Sequence, residues 1–227
     1  PAIYAASGIV MDMNSGAVLY AKKAEEKRYP ASITKVLSVL TALQYAKMSD
    51  TVVFSEDSIS FLQWDDAQIG MKPGEEISME SALYGMLLAS ANEVSYAVAE
   101  NVGKQYLNGG YAEFIEEMNR ISQELGCTSS NWVNANGLHD DNHYTTAHDM
   151  ARIAAAAYQN EEFRRLETTL EYKVPPTNLT AEERILDQNH KMLWPENYYY
   201  YANAKAGKTG YTAVSYTHLR AHETSAH

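Results

Sequence analysis

Pro30-Ala31-Ser32-Ile33-Thr34-Lys35-Val36-Leu37-Ser38-Val39-Leu40 is the stretch on which the reading of this chain turns. After Pro30, the residues Ile33, Val36, Leu37, Leu40 and Leu43 recur at helical spacing, which predicts a largely buried helix. Ser32 and Lys35 stand three residues apart, so their side chains share one face and can hydrogen-bond. A serine hydroxyl is a poor nucleophile alone, but a desolvated, neutral lysine amine can take its proton as it attacks a carbonyl. The helix N-terminus adds positive potential and free N–H groups where an oxyanion would form. Taken alone the pair says little, because a solvated lysine one turn after a serine is common.

Working outward, Gly8 to Met13 and Ala17 to Lys22 read as strands joined by Asn14-Ser15-Gly16, a hairpin turn. Thr51 to Phe54 reads as a short strand. Lys72-Pro73-Gly74 is a turn, and Ser78 caps a helix through Met79, Leu83, Met86 and Leu87 that Ser90-Ala91-Asn92 interrupts. Further helices are predicted from Glu93 to about Val102, from Tyr111 to Leu125 with Gly126 ending it, from Ala147 to Tyr158 behind a Thr146/Asp149 capping box, and from Glu161 to Leu166. Leu170 to Val174 and Ala204 to Thr212 read as strands. Strands at both ends thus enclose a helical centre, which predicts an α+β fold: a sheet whose first and last strands lie near each other, with a helical lobe inserted between them.

The chain has 227 residues, with 18 Lys plus Arg against 29 Asp plus Glu, a net charge of −11 that argues against nucleic-acid binding. No apolar run approaches the roughly 18 to 20 residues needed to cross a bilayer, and no signal-peptide pattern opens the chain. Cys127 is the one cysteine and reads as a small buried apolar residue, so no internal disulfide forms.

Two further short motifs change the weight of Ser32 and Lys35. Ser90-Ala91-Asn92 breaks a helix at a polar loop, and Lys208-Thr209-Gly210 lies in the last predicted strand. Separately they could be a helix cap and an ordinary edge strand. Together, in this order and on these elements, they match the Ser-x-x-Lys, Ser-x-Asn and Lys-Thr-Gly motifs of penicillin-binding proteins and serine β-lactamases. The chain most resembles low-molecular-mass penicillin-binding proteins, the serine-type D-alanyl-D-alanine carboxypeptidases, from about Ser7 to Thr212. Asn136-Gly137-Leu138 with Asn142-His143-Tyr144-Thr145-Thr146, Asn189-His190-Lys191-Met192-Leu193, and Lys205 to Thr212 also resemble blocks of that family.

The resemblance implies an α/β/α sandwich of the β-lactamase/transpeptidase type with an antiparallel sheet. It implies that Ser32 attacks the peptide bond between two terminal D-alanines of a peptidoglycan stem peptide, with Lys35 as base and Ser90 relaying a proton to the leaving amine. Asn92 would bind the substrate amide, Lys208 would add positive charge beside Ser90, Thr209 would bind the terminal carboxylate, and Gly210 would leave room for an extended substrate. The N–H groups of Ser32 and Tyr211 would form the oxyanion hole. Lys35 and Lys208, lying near each other, would each favour a neutral partner. No cofactor or metal is implied; β-lactams would be covalent inhibitors. The expected location is extracytoplasmic, in the bacterial cell envelope, with the parent protein held at the membrane by a C-terminal segment.

The competing readings are a serine β-lactamase and a β-lactam-binding sensor module. No Glu-x-x-Leu-Asn run supports the first, and Ala91 stands where that group usually has Asp. His139, His143 and His148 fit no metal spacing and read as loop residues. Trp194 and Tyr198 to Tyr201 read as packing aromatics. After Ala213 the family pattern stops. Val214 to His227 shows no strand alternation and resembles translated adapter sequence, so residues 1–213 are expected to be a partial catalytic domain, lacking its last strands, and 214–227 a non-native tail.

Overall fold

The computed structural model describes residues 3–213 and the backbone of 215–222. The N-terminal hairpin forms as its turn predicts: β1 (Gly8–Met11) pairs antiparallel with β2 (Val18–Lys22). Asp12 Oδ1 accepts from the Ser15 N–H at 2.7 Å, and Gly16 takes the positive φ of 71° that the turn requires.

At its centre lies α1 (Thr34–Leu43), buried along Thr34 to Ala42 and entered through a 3₁₀ turn at Ala31–Ile33. A helix buried all round needs partners on every side. They are α3 (Met79–Leu87), α4 (Asn92–Tyr106), α5 (Tyr111–Glu124), α6 (Ala147–Gln159) and α7 (Glu161–Glu167). Leu37, Leu83, Met86, Val98, Phe114, Met118 and Ile153 fill the space between them. The helix starts follow the sequence: Ser78 caps α3 by accepting from the Ser81 N–H, and Thr146 caps α6 by accepting from Asp149. Cys127 is buried as expected, and its thiol is pushed up to about 11 by burial.

Several short elements went unpredicted. They are β4 (Glu76–Ser78), the partner of the expected β3 (Thr51–Val53), α2 (Asp57–Ser60) between those two, and β6 (Arg184–Asp187), the partner of the expected β5 (Glu171–Val174). Finally β7 (Ala204–Thr212) pairs antiparallel with β8 (Ser215–His222), in register from Ala206 opposite Ala221 to Thr212 opposite Ser215, with a bulge between Ala206 and the Ala204–His222 pair. The reading of no strand in the last residues is therefore corrected for 215–222. A ladder uses the N–H and C=O groups that every residue but proline carries, so it can form without side-chain alternation.

The α+β layout with an inserted helical lobe is present. Among the described residues the strands form separate two-stranded ladders, and the first and last of these, β1–β2 and β7–β8, both lie against α6. The 3₁₀ turn at Ala31–Ile33 packs beside β7, which brings the start of α1 to the last ladder.

Candidate active site

Pro30, at φ −72°, leads into Ala31 at φ +51°, a left-handed conformation that side chains disfavour. The strained residue sets Ser32, half-buried, in the 3₁₀ turn. Its backing is Gly137, itself at φ +88°, where a Cβ would stand 1.9 Å from the Ala31 carbonyl oxygen and 2.9 Å from the Ser32 nitrogen. Only a glycine allows that approach.

Lys35 follows one turn later on α1 and is fully buried. Its Nζ lies 3.0 Å from Ser32 Oγ, 2.8 Å from Asn92 Oδ1 and 2.7 Å from the Asn136 carbonyl oxygen. Asn92 opens α4 directly after the break at Ser90, a second strained residue with φ +60°. The Asn136 carbonyl is aimed by a tight loop, in which Asn134 Oδ1 accepts from the Gly137 N–H at 2.8 Å and Asn136 Oδ1 accepts from Leu138 at 3.0 Å. Burial first, and the charge of Lys208 second, hold the Lys35 amine well below the usual lysine range, against the opposing pull of Glu93 and Asp66.

Lys208, on β7 and also buried, donates to Ser90 Oγ at 2.9 Å and to the Thr209 carbonyl at 2.8 Å. Behind it Glu167, the last residue of α7, is buried and accepts from the Gly207 N–H through Oε1 at 3.3 Å. Burial lowers the Lys208 amine and raises the Glu167 carboxyl, and each charge opposes the shift of the other. The expected residues Ser32, Lys35, Ser90, Asn92 and Lys208 therefore meet through two lysines. Thr209 is half-buried and Gly210 buried next to them on β7, and Tyr211 is exposed.

Sequence reasoning missed the Asn136 carbonyl, Glu93, Glu167 and the part played by His143. Among the described residues no group of His, Cys, Asp and Glu could hold a metal ion; His143 Nδ1 accepts from the Val133 N–H at 3.1 Å, which leaves Nε2 as the donor to Thr34 Oγ1 at 2.8 Å. It thus ties the Asn136 loop to the first turn of α1. His148 pairs with Glu25 and His139 with Asp141 on the surface. The Trp194 indole donates to the Gln188 carbonyl at 2.7 Å, while Tyr198 to Tyr201 are exposed, so the packing expected of that tyrosine run is corrected. With Pro195 and Asn197 between the elements, that stretch crosses the surface as a loop.

Burial lowers His143 to about 4. Its unfolded value is near 6.5, so the unfolded chain binds more protons between these limits. The stability His143 contributes is present above about 6.5 and is lost as pH falls through about 4, a loss of up to about 3 kcal/mol. We expect the thermal midpoint of His143→Gln to fall less than that of the native chain between these pH values; parallel curves would remove this role.

Comparison with known proteins decides the kinship. The profile of the D-alanyl-D-alanine carboxypeptidase family matches residues 1–225. The chain belongs to the D-alanyl-D-alanine carboxypeptidase family. Among family members, the D-alanyl-D-alanine carboxypeptidase DacF of Bacillus subtilis is 31% identical over 92% of this chain and 51% of its own length. DacC of Escherichia coli is 28% identical over 94% of this chain and 52% of its own length. The chain thus spans about half the length of these carboxypeptidases. The solved D-alanyl-D-alanine carboxypeptidase of Mycobacterium tuberculosis superposes with a TM-score of 0.86 at 29% identity, covering 99% of this chain and 80% of that one. A Streptomyces DD-transpeptidase shares the fold, with a TM-score of 0.88 at 24% identity over 99% of this chain and 87% of its own.

Proposed function

We propose that this protein is a serine D-alanyl-D-alanine carboxypeptidase that removes the terminal D-alanine of peptidoglycan stem peptides through an acyl-enzyme on Ser32. The observation that carries the reading is the buried Lys35 amine 3.0 Å from Ser32 Oγ. A desolvated amine is neutral and basic, and a base within hydrogen-bond reach turns a hydroxyl into a nucleophile.

In the proposed reaction Lys35 takes the Ser32 proton as Oγ attacks the carbonyl between the two D-alanines. The oxyanion is stabilised at the start of α1 by the Ser32 N–H together with that of Tyr211. Lys35 returns that proton by way of Ser90, held by Lys208, to the leaving amine as the C–N bond breaks and D-alanine departs; the neutral amine then takes a proton from the attacking water and gives it to Ser32 Oγ as the ester is hydrolysed. Among the described residues β7 pairs with no strand but β8, and an extended peptide is proposed to lie along its other edge. Thr209 stands on that strand for the terminal carboxylate, Lys208 adds positive charge beside Ser90, Gly210 adds no side chain to obstruct the peptide, and Asn92 faces the substrate amide. β-Lactams would acylate the same Ser32.

Residues 1–213 are proposed to be a partial catalytic domain and 214–227 a non-native tail, of which Ser215–His222 pairs with β7 as β8 through backbone groups. The family acts on peptidoglycan, and the site of action is proposed to be extracytoplasmic, in the bacterial cell envelope, with the parent protein membrane-associated. The test is release of D-alanine from a peptide ending in Lys-D-Ala-D-Ala, with mass spectrometry of the chain after exposure to a penicillin. Metal-independent release and one adduct on Ser32 are expected. Activity lost in EDTA and regained with zinc, or an adduct elsewhere, would sink the reading.

A further inference from the structure

The two buried lysines are not equivalent in their surroundings. Around Lys35 the Ser32 hydroxyl, the Asn92 amide and the Asn136 carbonyl are neutral, and the acids whose charge reaches it are Glu93 and Asp66. The Glu93 carboxylate accepts from the Ile69 N–H at 2.7 Å through Oε1, and its buried Oε2 has no hydrogen-bond partner among the described residues. Lys208 has a different neighbour. Glu167 reaches from α7 to the β7 backbone at Gly207, the residue before Lys208, and is 1% exposed. Its Oε2 has no hydrogen-bond partner among the described residues, although it is buried. A buried carboxylate oxygen without a donor is costly unless a positive charge compensates it. The other groups near this end of β7 are the ring of His190, packed on Gly207, and Lys35 itself.

Resting on the proposed roles of Ser32 and Lys35, we propose that Glu167 decides which lysine carries the charge: as counter-ion to Lys208 it keeps that amine protonated, and the cation there keeps Lys35 neutral and basic. The hydrogen bonding agrees. Glu167 accepts an N–H from Gly207, the residue before Lys208, which favours the carboxylate beside that amine. Without the carboxylate two like amines would compete for one buried charge, and both the base and the proton relay would be charged for only part of the molecules. Glu167 is a positioning residue in this scheme, acting through Lys208 and touching no substrate. Its helical neighbours give no hint of the role, because its partner lies 40 residues later on β7.

The experiment is nitrogen-15 NMR titration of lysine side chains in the intact chain, with signals assigned from Lys35→Arg and Lys208→Arg, repeated in Glu167→Gln. Near neutral pH the native chain should show Lys208 as ammonium and Lys35 as free amine. In Glu167→Gln, which keeps the shape and the acceptor for Gly207, Lys208 should titrate at least about one pH unit lower and Lys35 higher. The pH profile of penicillin acylation should then narrow from both sides, with a roughly tenfold change in rate on a limb for each unit moved. Glu167→Asp, which keeps the charge, should leave both limbs near their native positions even if the rate drops. A neutral Lys208 in the native chain, or limbs unmoved in Glu167→Gln with only a uniform loss of rate, would overturn the inference. Should Glu167→Gln fail to fold, the native titration and the Glu167→Asp profile still decide it. Failure of the native chain to label at Ser32 would instead count against the carboxypeptidase reading, which the NMR titration does not require.

Discussion

Ser32→Ala is expected to lose all covalent labelling by penicillin and all release of D-alanine while melting at a temperature close to that of the native chain. The hydroxyl is the only atom group removed, it is half-buried in a 3₁₀ turn that backbone strain and Gly137 define, and its loss opens no core cavity. Lys35→Ala should differ in kind: the nucleophile survives, and acylation slows by roughly 10²–10⁴-fold, the range for losing a positioned general base. Its fold should also be weakened, because Asn92 Oδ1 and the Asn136 carbonyl lose the amine they share. Intact-mass measurement of the adduct against time separates the two. An adduct in Ser32→Ala, or native acylation rates in Lys35→Ala, would show that the nucleophile or the base is elsewhere.

Gly137→Ala should be nearly as damaging, though it touches no reacting atom. A left-handed φ costs an alanine about 1–2 kcal/mol by itself. The added methyl group would also sit 1.9 Å from the Ala31 carbonyl oxygen, so the 3₁₀ turn or the Asn136 loop must move. Either movement separates Ser32 from Lys35 or pulls the Asn136 carbonyl off the amine. A displacement of about 1 Å in a reacting pair can cost on the order of a hundredfold in rate. The expected result is an acylation rate lower by about that factor, together with a lower thermal midpoint. A folded variant acylating at the native rate would mean that the backing of Ser32 by this loop is unimportant.

What the sequence made legible was local. The Asn14-Ser15-Gly16 turn, the Ser78 and Thr146 caps, and the apolar run after Pro30 each act over a few residues, and each appears where its chemistry predicted. The strands that escaped notice are short and depend on distant partners: β4 meets β3 after some twenty intervening residues, and Glu76 to Ser78 carries no alternation long enough to read. Lys35 could be found because Ser32 is one turn away. Glu167 could not, since nothing in Glu161 to Glu167 distinguishes a surface acid from one folded beneath β7. His143 stood in plain view among polar loop residues; its burial against Trp132, ring centroids 5.5 Å apart, is what separates it from His139 and His148. Asn136-Gly137-Leu138 stands out in the sequence as a block, but a backbone carbonyl has no side-chain signature to mark it.

The three neighbours of the Lys35 nitrogen have a consequence in valence terms. A free amine owns two hydrogens and one lone pair, and here it meets two fixed acceptors, Asn92 Oδ1 and the Asn136 carbonyl, and one hydroxyl, Ser32 Oγ. If the hydrogens go to the acceptors, the lone pair is left on the axis toward Ser32. When the hydroxyl proton crosses, the new ammonium has three hydrogens for the same three oxygens, so no atom has to turn and no partner is abandoned. The returning proton finds the same path. Asn92 and the Asn136 carbonyl thus act as a socket that keys the rotation of a group otherwise free to spin, and the reaction begins and ends with that group in one orientation.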